Sequence, residues 1–121
     1  KYGSGMISSF SNFGKINVDI FAPGGQIYSA YPENTYKSIG GTSMASPAVA
    51  GIAALIRSYY PKLKAPQVKK IILDSGLELS TKVMVGGESS DVRPFSELSK
   101  SKKIANAYNA MIFAEQTAKN L

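Results

Sequence analysis

The chain has 121 residues, 44% of them hydrophobic, a formal net charge of +6, and neither Cys nor His. That length fits one domain. The absence of Cys excludes disulfides and thiolate metal sites, and the absence of His removes the commonest general base and metal ligand. The positive charge reads as solvated surface rather than as a nucleic-acid site. Arg57, Lys62, Lys64, Lys69 and Lys70 gather around one helix end and the helix after it, and Lys100, Lys102 and Lys103 share a loop. No stripe of base-stacking aromatics accompanies them. No signal peptide or membrane span is evident. The sequence opens on Lys1 in mid-pattern, so a signal could lie in whatever came before.

In chain order, residues 1–5 read as a loose end. Residues 6–10 predict a short strand, and Asn12-Phe13-Gly14 a turn. Residues 17–21 predict a strand that is apolar on both sides, as in a buried parallel sheet. Ala22-Pro23-Gly24-Gly25 breaks it. A further strand is expected over 26–30, with Ile27 and Tyr28 as packing residues. Pro32-Glu33-Asn34 is a turn, and 35–39 a strand. A long helix is expected over 43–60, stopped by Pro61. A second helix starts at Ala65-Pro66, shows an apolar face of Val68, Ile71, Ile72 and Leu73, and ends at Asp74-Ser75-Gly76. Residues 82–85 predict a strand, with loops at Gly86-Gly87 and Pro94. A third helix is expected over 104–119, with Ile104, Ala107, Tyr108, Met111, Ile112, Ala114 and Ala118 as its apolar residues. No internal repeat or interdomain linker is visible.

The stretch 40–60 organises the rest. Gly40-Gly41 permits a sharp turn, and Thr42 and Ser43 offer N-cap hydroxyls. Ser43 then falls on the first turn of the long helix, facing unpaired N–H groups and the positive end of the helix dipole, where an oxyanion would be stabilised. The helix is apolar around its whole circumference, from Met44 and Ala45 to Tyr59 and Tyr60, which marks a buried helix. A membrane span is a poorer reading, because Ser46, Pro47, Gly51 and Arg57 interrupt the run, which falls short of about 20 clean apolar residues.

Gly41-Thr42-Ser43-Met44-Ala45-Ser46-Pro47 followed by Ala48-Val49-Ala50-Gly51 resembles the nucleophile signature of subtilisin-like serine proteases. Ser8-Ser9-Phe10-Ser11-Asn12-Phe13-Gly14 and Val18-Asp19-Ile20-Phe21-Ala22-Pro23-Gly24 look like the segments that precede the nucleophile in that family. Asn106-Ala107-Tyr108-Asn109-Ala110 looks like its closing helix. The likeness runs from about Met6 to Tyr108 and is weak over 77–103. It implies an α/β fold, part of a three-layer sandwich around a mostly parallel sheet. It makes Ser43 the acyl-forming nucleophile of an endopeptidase, with its backbone N–H as one oxyanion donor. Gly41 and Thr42 would shape the turn and touch substrate, Ile39 would fall on the leaving-group side, and Pro23 and Gly24 would be structural. Gly40 stands where many members have Asn, and Ala48 where many have His; neither position does the chemistry. The side-chain oxyanion donor, the main specificity pocket and most calcium sites of the family lie before the positions matched here. No cofactor is implied beyond calcium in that upstream part. The resemblance also implies a secreted or cell-envelope location.

A serine hydroxyl needs a base, usually a His oriented by a carboxylate, and this chain has no His. Asp19, Asp74 and Asp91 therefore read as surface, turn or capping carboxylates. An α/β-hydrolase elbow would require a His after Ser43, and Ala45 replaces the last Gly of its motif. In the subtilisin order Asp and His come before the Ser. The expectation is a C-terminal portion of one subtilisin-like peptidase domain, 1–121, inactive by itself. Its partners would be a peptide or protein substrate and either the upstream part of the same domain or a second copy of this chain, with no nucleic acid and no membrane insertion. The rival readings are a relative that keeps Ser43 without a working Asp and His pair, and a peptide-binding or structural module that uses the fold without chemistry.

Overall fold

A computed structural model of the chain describes residues 5–121. The loose end read over 1–5 lies, for positions 1–4, outside the described residues. Strands β1 (Ile27–Tyr31) and β2 (Thr35–Ile39) form a hairpin that leads into helix α1 (Thr42–Tyr59). Helix α2 (Ala65–Ser75) follows, then four short strands: β3 (Leu77–Glu78), β4 (Lys82–Met84), β5 (Val92–Pro94) and, after a 3-10 turn at Phe95–Glu97, β6 (Lys103–Ile104). Helix α3 (Ala107–Lys119) comes last.

Local signals account for the helices. Pro61 follows the Tyr60 cap of α1, whose N–H still donates to the Ile56 carbonyl at 2.8 Å. Helix α2 has Pro66 in its first turn, and Gln67 Oε1 accepts from the Lys64 N–H at 2.8 Å, one half of a capping box. Asn106 caps α3, its Oδ1 accepting from the Asn109 N–H at 2.8 Å. That cap moves the start of α3 beyond Ile104, which pairs with Leu77 in β6 instead.

The chain is α/β, as the resemblance implies. Among the described residues the strands form three two-stranded antiparallel ladders, β1–β2, β3–β6 and β4–β5. The mostly parallel sheet of the expectation is represented by a single strip. Residues 18–21 run beside residues 100–105 with a parallel bridge between Phe21 and Ile104. Lys100 N–H donates to Val18 O at 2.7 Å, Ser101 N–H to Asp19 O at 3.0 Å, and Ala105 N–H to Phe21 O at 2.9 Å. The strand expected over 17–21 is, among the described residues, an extended segment with a single parallel bridge rather than a full strand. Residues 6–10 are bends and turns, with Ile7 buried.

The strip divides two cores. Ile20 packs against Ile56, Leu63, Val68, Ile71, Ile72, Ala110 and Ala114, the cluster between the three helices. Its neighbour Phe21 packs against Ile7, Val83, Val85, Phe95 and Leu98, with its ring 5.5 Å from that of Phe95. Successive side chains of an extended segment point to opposite sides, so two adjacent residues serve two clusters.

Gly76 sits where α2 hands over to β3. A Cβ there would stand 2.6 Å from the Ile104 carbonyl oxygen and 2.8 Å from Lys103 Cβ. Gly76→Ala is expected to lower the unfolding free energy by about 1–3 kcal/mol, as overpacking against backbone does. A urea-melting midpoint equal to that of the parent chain would show that the α2–β3 junction is looser than this contact implies.

Candidate active site

The path to Ser43 is fixed by backbone packed on backbone. Gly41 N–H donates to the Gly24 carbonyl at 2.8 Å. A Cβ on Gly24 would lie 2.8 Å from the Gly41 oxygen and 3.1 Å from Ala45 Cβ, closer than side-chain carbon is tolerated. Gly40 is nearly as confined, a Cβ there meeting Gly24 O at 3.4 Å. The two glycine pairs, 24–25 and 40–41, therefore close the base of the β1–β2 hairpin and deliver the chain into α1.

Gly41 is the N-cap of α1, and no side chain caps the helix. The expected capping by Thr42 and Ser43 hydroxyls is corrected here. Both residues lie one step inside, in the first turn, and the Gly41 carbonyl accepts from the N–H groups of Met44 at 3.0 Å and Ala45 at 3.4 Å. This leaves Ser43 with its side chain uncommitted. It is exposed, and among the described residues neither its N–H nor its hydroxyl has a hydrogen-bond partner. Pro47, four residues on, has no N–H to give the Ser43 carbonyl. No acidic residue stands in the first turn, so the positive end of the helix dipole is not offset there by a carboxylate.

Ile39, Gly41, Thr42 and Ser43 are brought together by this connection. Ile39 and Gly41 are half-buried, and Thr42 is exposed beside Ser43. Beside the turn lies a cavity of about 470 Å³, lined by Gly24, Gly41, Thr42 and Ala45 and also by Ile7, Phe21 and Phe95. Sequence reading placed Gly24 as merely structural; its direct contact with Gly41 was announced only by a second glycine pair on the far side of the hairpin.

The carboxylates are engaged elsewhere. Asp19 pairs with Lys69 at 2.9 Å, Asp74 with Lys70 at 2.6 Å, and Asp91 with Arg93 at 2.9 Å. The hydrogen bond from Arg93 holds the Asp91 carboxyl below its ordinary value. Lys37, the nearest cation in sequence before Ser43, has its Nζ 5.2 Å from the centroid of the Tyr31 ring, on the hairpin. Among the described residues no three His, Cys, Asp or Glu side chains gather as a metal site, and no helix is long and apolar enough to cross a membrane. The arrangement offers an accessible hydroxyl at a helix N-terminus, and the sequence has no His to activate it.

The sequence pattern of the Subtilase family matches residues 2–109. Among curated relatives, subtilisin DY from Bacillus licheniformis is 48% identical over 79 residues, which are 65% of this chain and 28% of that protein. Thermitase from Thermoactinomyces vulgaris is 59% identical over 51 residues, 42% of this chain and 18% of the relative. Among solved structures, a chain from the subtilase cytotoxin SubAB assembly superposes with a TM-score of 0.69 at 25% identity, covering 90% of this chain and 30% of the other. The prenylagaramide maturation protease PagA gives 0.63 at 29% identity, covering 87% and 37%. The chain thus spans well under half the length of each of these relatives. With the family pattern covering nearly all of it and the Ser43 turn built as described, the chain belongs to the subtilase family.

Proposed function

We propose that this chain is the C-terminal portion of a subtilisin-like catalytic domain and that Ser43 is the nucleophile of a serine endopeptidase. The observation that carries the reading is the placement of Ser43: exposed, in the first turn of α1, inside the Gly-Thr-Ser-Met-Ala-Ser-Pro stretch, with its N–H unclaimed. In the complete domain a His, oriented by an Asp, takes the Ser43 proton as Oγ attacks a peptide carbonyl. The Ser43 N–H and the helix terminus stabilise the resulting oxyanion. The tetrahedral species expels the amine, which receives the proton from His, and water hydrolyses the acyl-enzyme. Gly41 and Thr42 border the substrate, and Ile39 meets its leaving-group side. The substrate is a peptide or protein, and the family resemblance favours a secreted or cell-envelope location.

The surface of α1 supports the domain assignment. Of its eighteen residues only Ile56 is buried. Ala48, Ala50, Gly51, Ala54, Leu55 and Tyr59 are exposed, Tyr59 to 69%. Full burial of one large apolar side chain is worth about 1.5–3 kcal/mol, so a face of this kind is stabilised by whatever covers it. The rest of the domain is the proposed cover, with a second copy of this chain as the alternative.

Gly51 reports on that cover. Nothing lies within 4 Å of a Cβ built on it in this chain. For the isolated 121 residues, Gly51→Ala is expected to stabilise by about 0.5–1 kcal/mol, the helix-interior preference for Ala. In the complete domain, where the small residue admits a close neighbour, the same change is expected to destabilise. Equal shifts in both, measured by thermal melting, would mean that the α1 face stays bare.

Ser43→Ala in the full-length protein is expected to lower turnover about a millionfold, as loss of a nucleophile acting with its base does. Its hydroxyl makes no capping bond, so stability should change by no more than about 0.5 kcal/mol. Substantial cleavage by the purified variant would exclude Ser43.

The chain by itself is expected to show no labelling by a fluorophosphonate at neutral pH, because the base is missing and removing the base costs about as much as removing the nucleophile. Labelling should return when the upstream part of the domain is added. Strong labelling of the lone chain that vanishes with Ser43→Ala would point to a Lys as base.

A further inference from the structure

The β1–β2 hairpin stands away from both cores. Ile27 and Ile39, paired at its base, are half-buried, and every other position of the two strands is exposed. The antiparallel register sorts the side chains by face. Tyr28 and Tyr36 share one face, their rings stacked with centroids 5.8 Å apart. Ile39, Lys37 and Thr35 share the other with Ile27, Ser29 and Tyr31. On that second face Lys37 Nζ lies 5.2 Å from the Tyr31 ring centroid.

Lys37 differs from the ion-paired cations of the chain. Lys69, Lys70, Arg93, Lys103 and Lys119 each face a carboxylate, whereas Lys37 has no ion pair among the described residues. A cation resting on an aromatic face is oriented without being neutralised, so it remains available to an incoming carboxylate. The hairpin's one acid, Glu33, sits in the tip turn and forms no ion pair with it.

Distance decides what Lys37 can meet. A strand rises about 3.3 Å per residue, so Lys37 lies about 7 Å beyond Ile39 on the same face, and an extended peptide repeats a face at the same interval. The geometry points to Lys37, steadied by Tyr31, as a subsite on the leaving-group side that selects Asp or Glu two residues beyond the substrate residue that meets Ile39. This rests on the reading of Ser43 as nucleophile and deepens it with a substrate class.

The test uses the full-length protein carrying Ser43→Ala, which binds without cutting. Two peptides that differ only in Glu or Gln at that position are compared by fluorescence anisotropy. The Glu peptide is expected to bind about two- to fivefold tighter, the range of an exposed ion pair, and the difference should fade at about 0.5 M salt. Lys37→Gln should bring the ratio to one, and Lys37→Glu should invert it in favour of a Lys peptide. Equal binding of the Glu and Gln peptides, no binding of either, or a preference that survives Lys37→Gln overturns the subsite. Hydrolysis by the Ser43 protein separates the two claims. Equal kcat/KM for both peptides removes the subsite and leaves the nucleophile. Cleavage persisting in Ser43→Ala removes the nucleophile, and the binding ratio still judges Lys37.

Discussion

A contact too close for any side chain, Gly24 against Gly41, decides where α1 begins. Everything chemically interesting in the chain is measured from that point. The Gly41 N–H reaches the Gly24 carbonyl at 2.8 Å, and the hairpin between them is held at its root by two strips of bare backbone. With Gly41 as cap, the next two residues are forced into the first turn. The serine is thereby exposed at the positive end of a long helix instead of being spent on closing that end. A hydroxyl used as a cap would be bonded to the helix and poorly placed for transfer to a carbonyl carbon.

Much of this was legible in the sequence because its determinants are local. The glycine pair, Pro61, the Ala65-Pro66 start and the Pro32-Glu33-Asn34 turn each act within a few residues, and the elements they bound fall where they indicate. What was missed depends on distant partners. Leu77–Glu78 and Lys103–Ile104 are strands only because they find each other, and Val92–Pro94 only because it finds Lys82–Met84. Ile104 stands at helical spacing from Tyr108 and so reads as helix, yet it is taken by the cluster around Phe95. Tyr28 looked like a packing residue and is 70% exposed, its ring satisfied by Tyr36 instead. For the site, Ser43 was legible from its motif, whereas the free side chain and the Gly24 contact required the fold.

The apolar circumference of α1 was equally plain in the sequence, and here structure and pattern disagree in an informative way. A helix patterned for burial on every side is covered on one side, where Val49, Ile52, Ala53 and Ile56 meet the cluster shared with α2 and α3. The groove beside it, about 350 Å³ between Ile20, Val49, Ala53 and Ile72, is mostly apolar, with Asp19, Arg57 and Lys69 also among its lining residues. The pattern of α1 therefore asks for more cover than the described residues give it.

The strip that joins residues 18–21 to 100–105 has a consequence for the order of assembly. It pairs segments from near the two ends of the chain, so its formation carries the entropy of closing a very long loop. The contacts within the β1–β2 hairpin and between α1 and α2 are far more local and gain structure without that closure. Ile20 and Phe21 belong to different clusters, so closing the strip brings both together, and loop-closure entropy alone predicts that it forms after the local elements. Phe21 also lines the cavity beside the Ser43 turn, so the strip that seats Phe21 completes that lining as well.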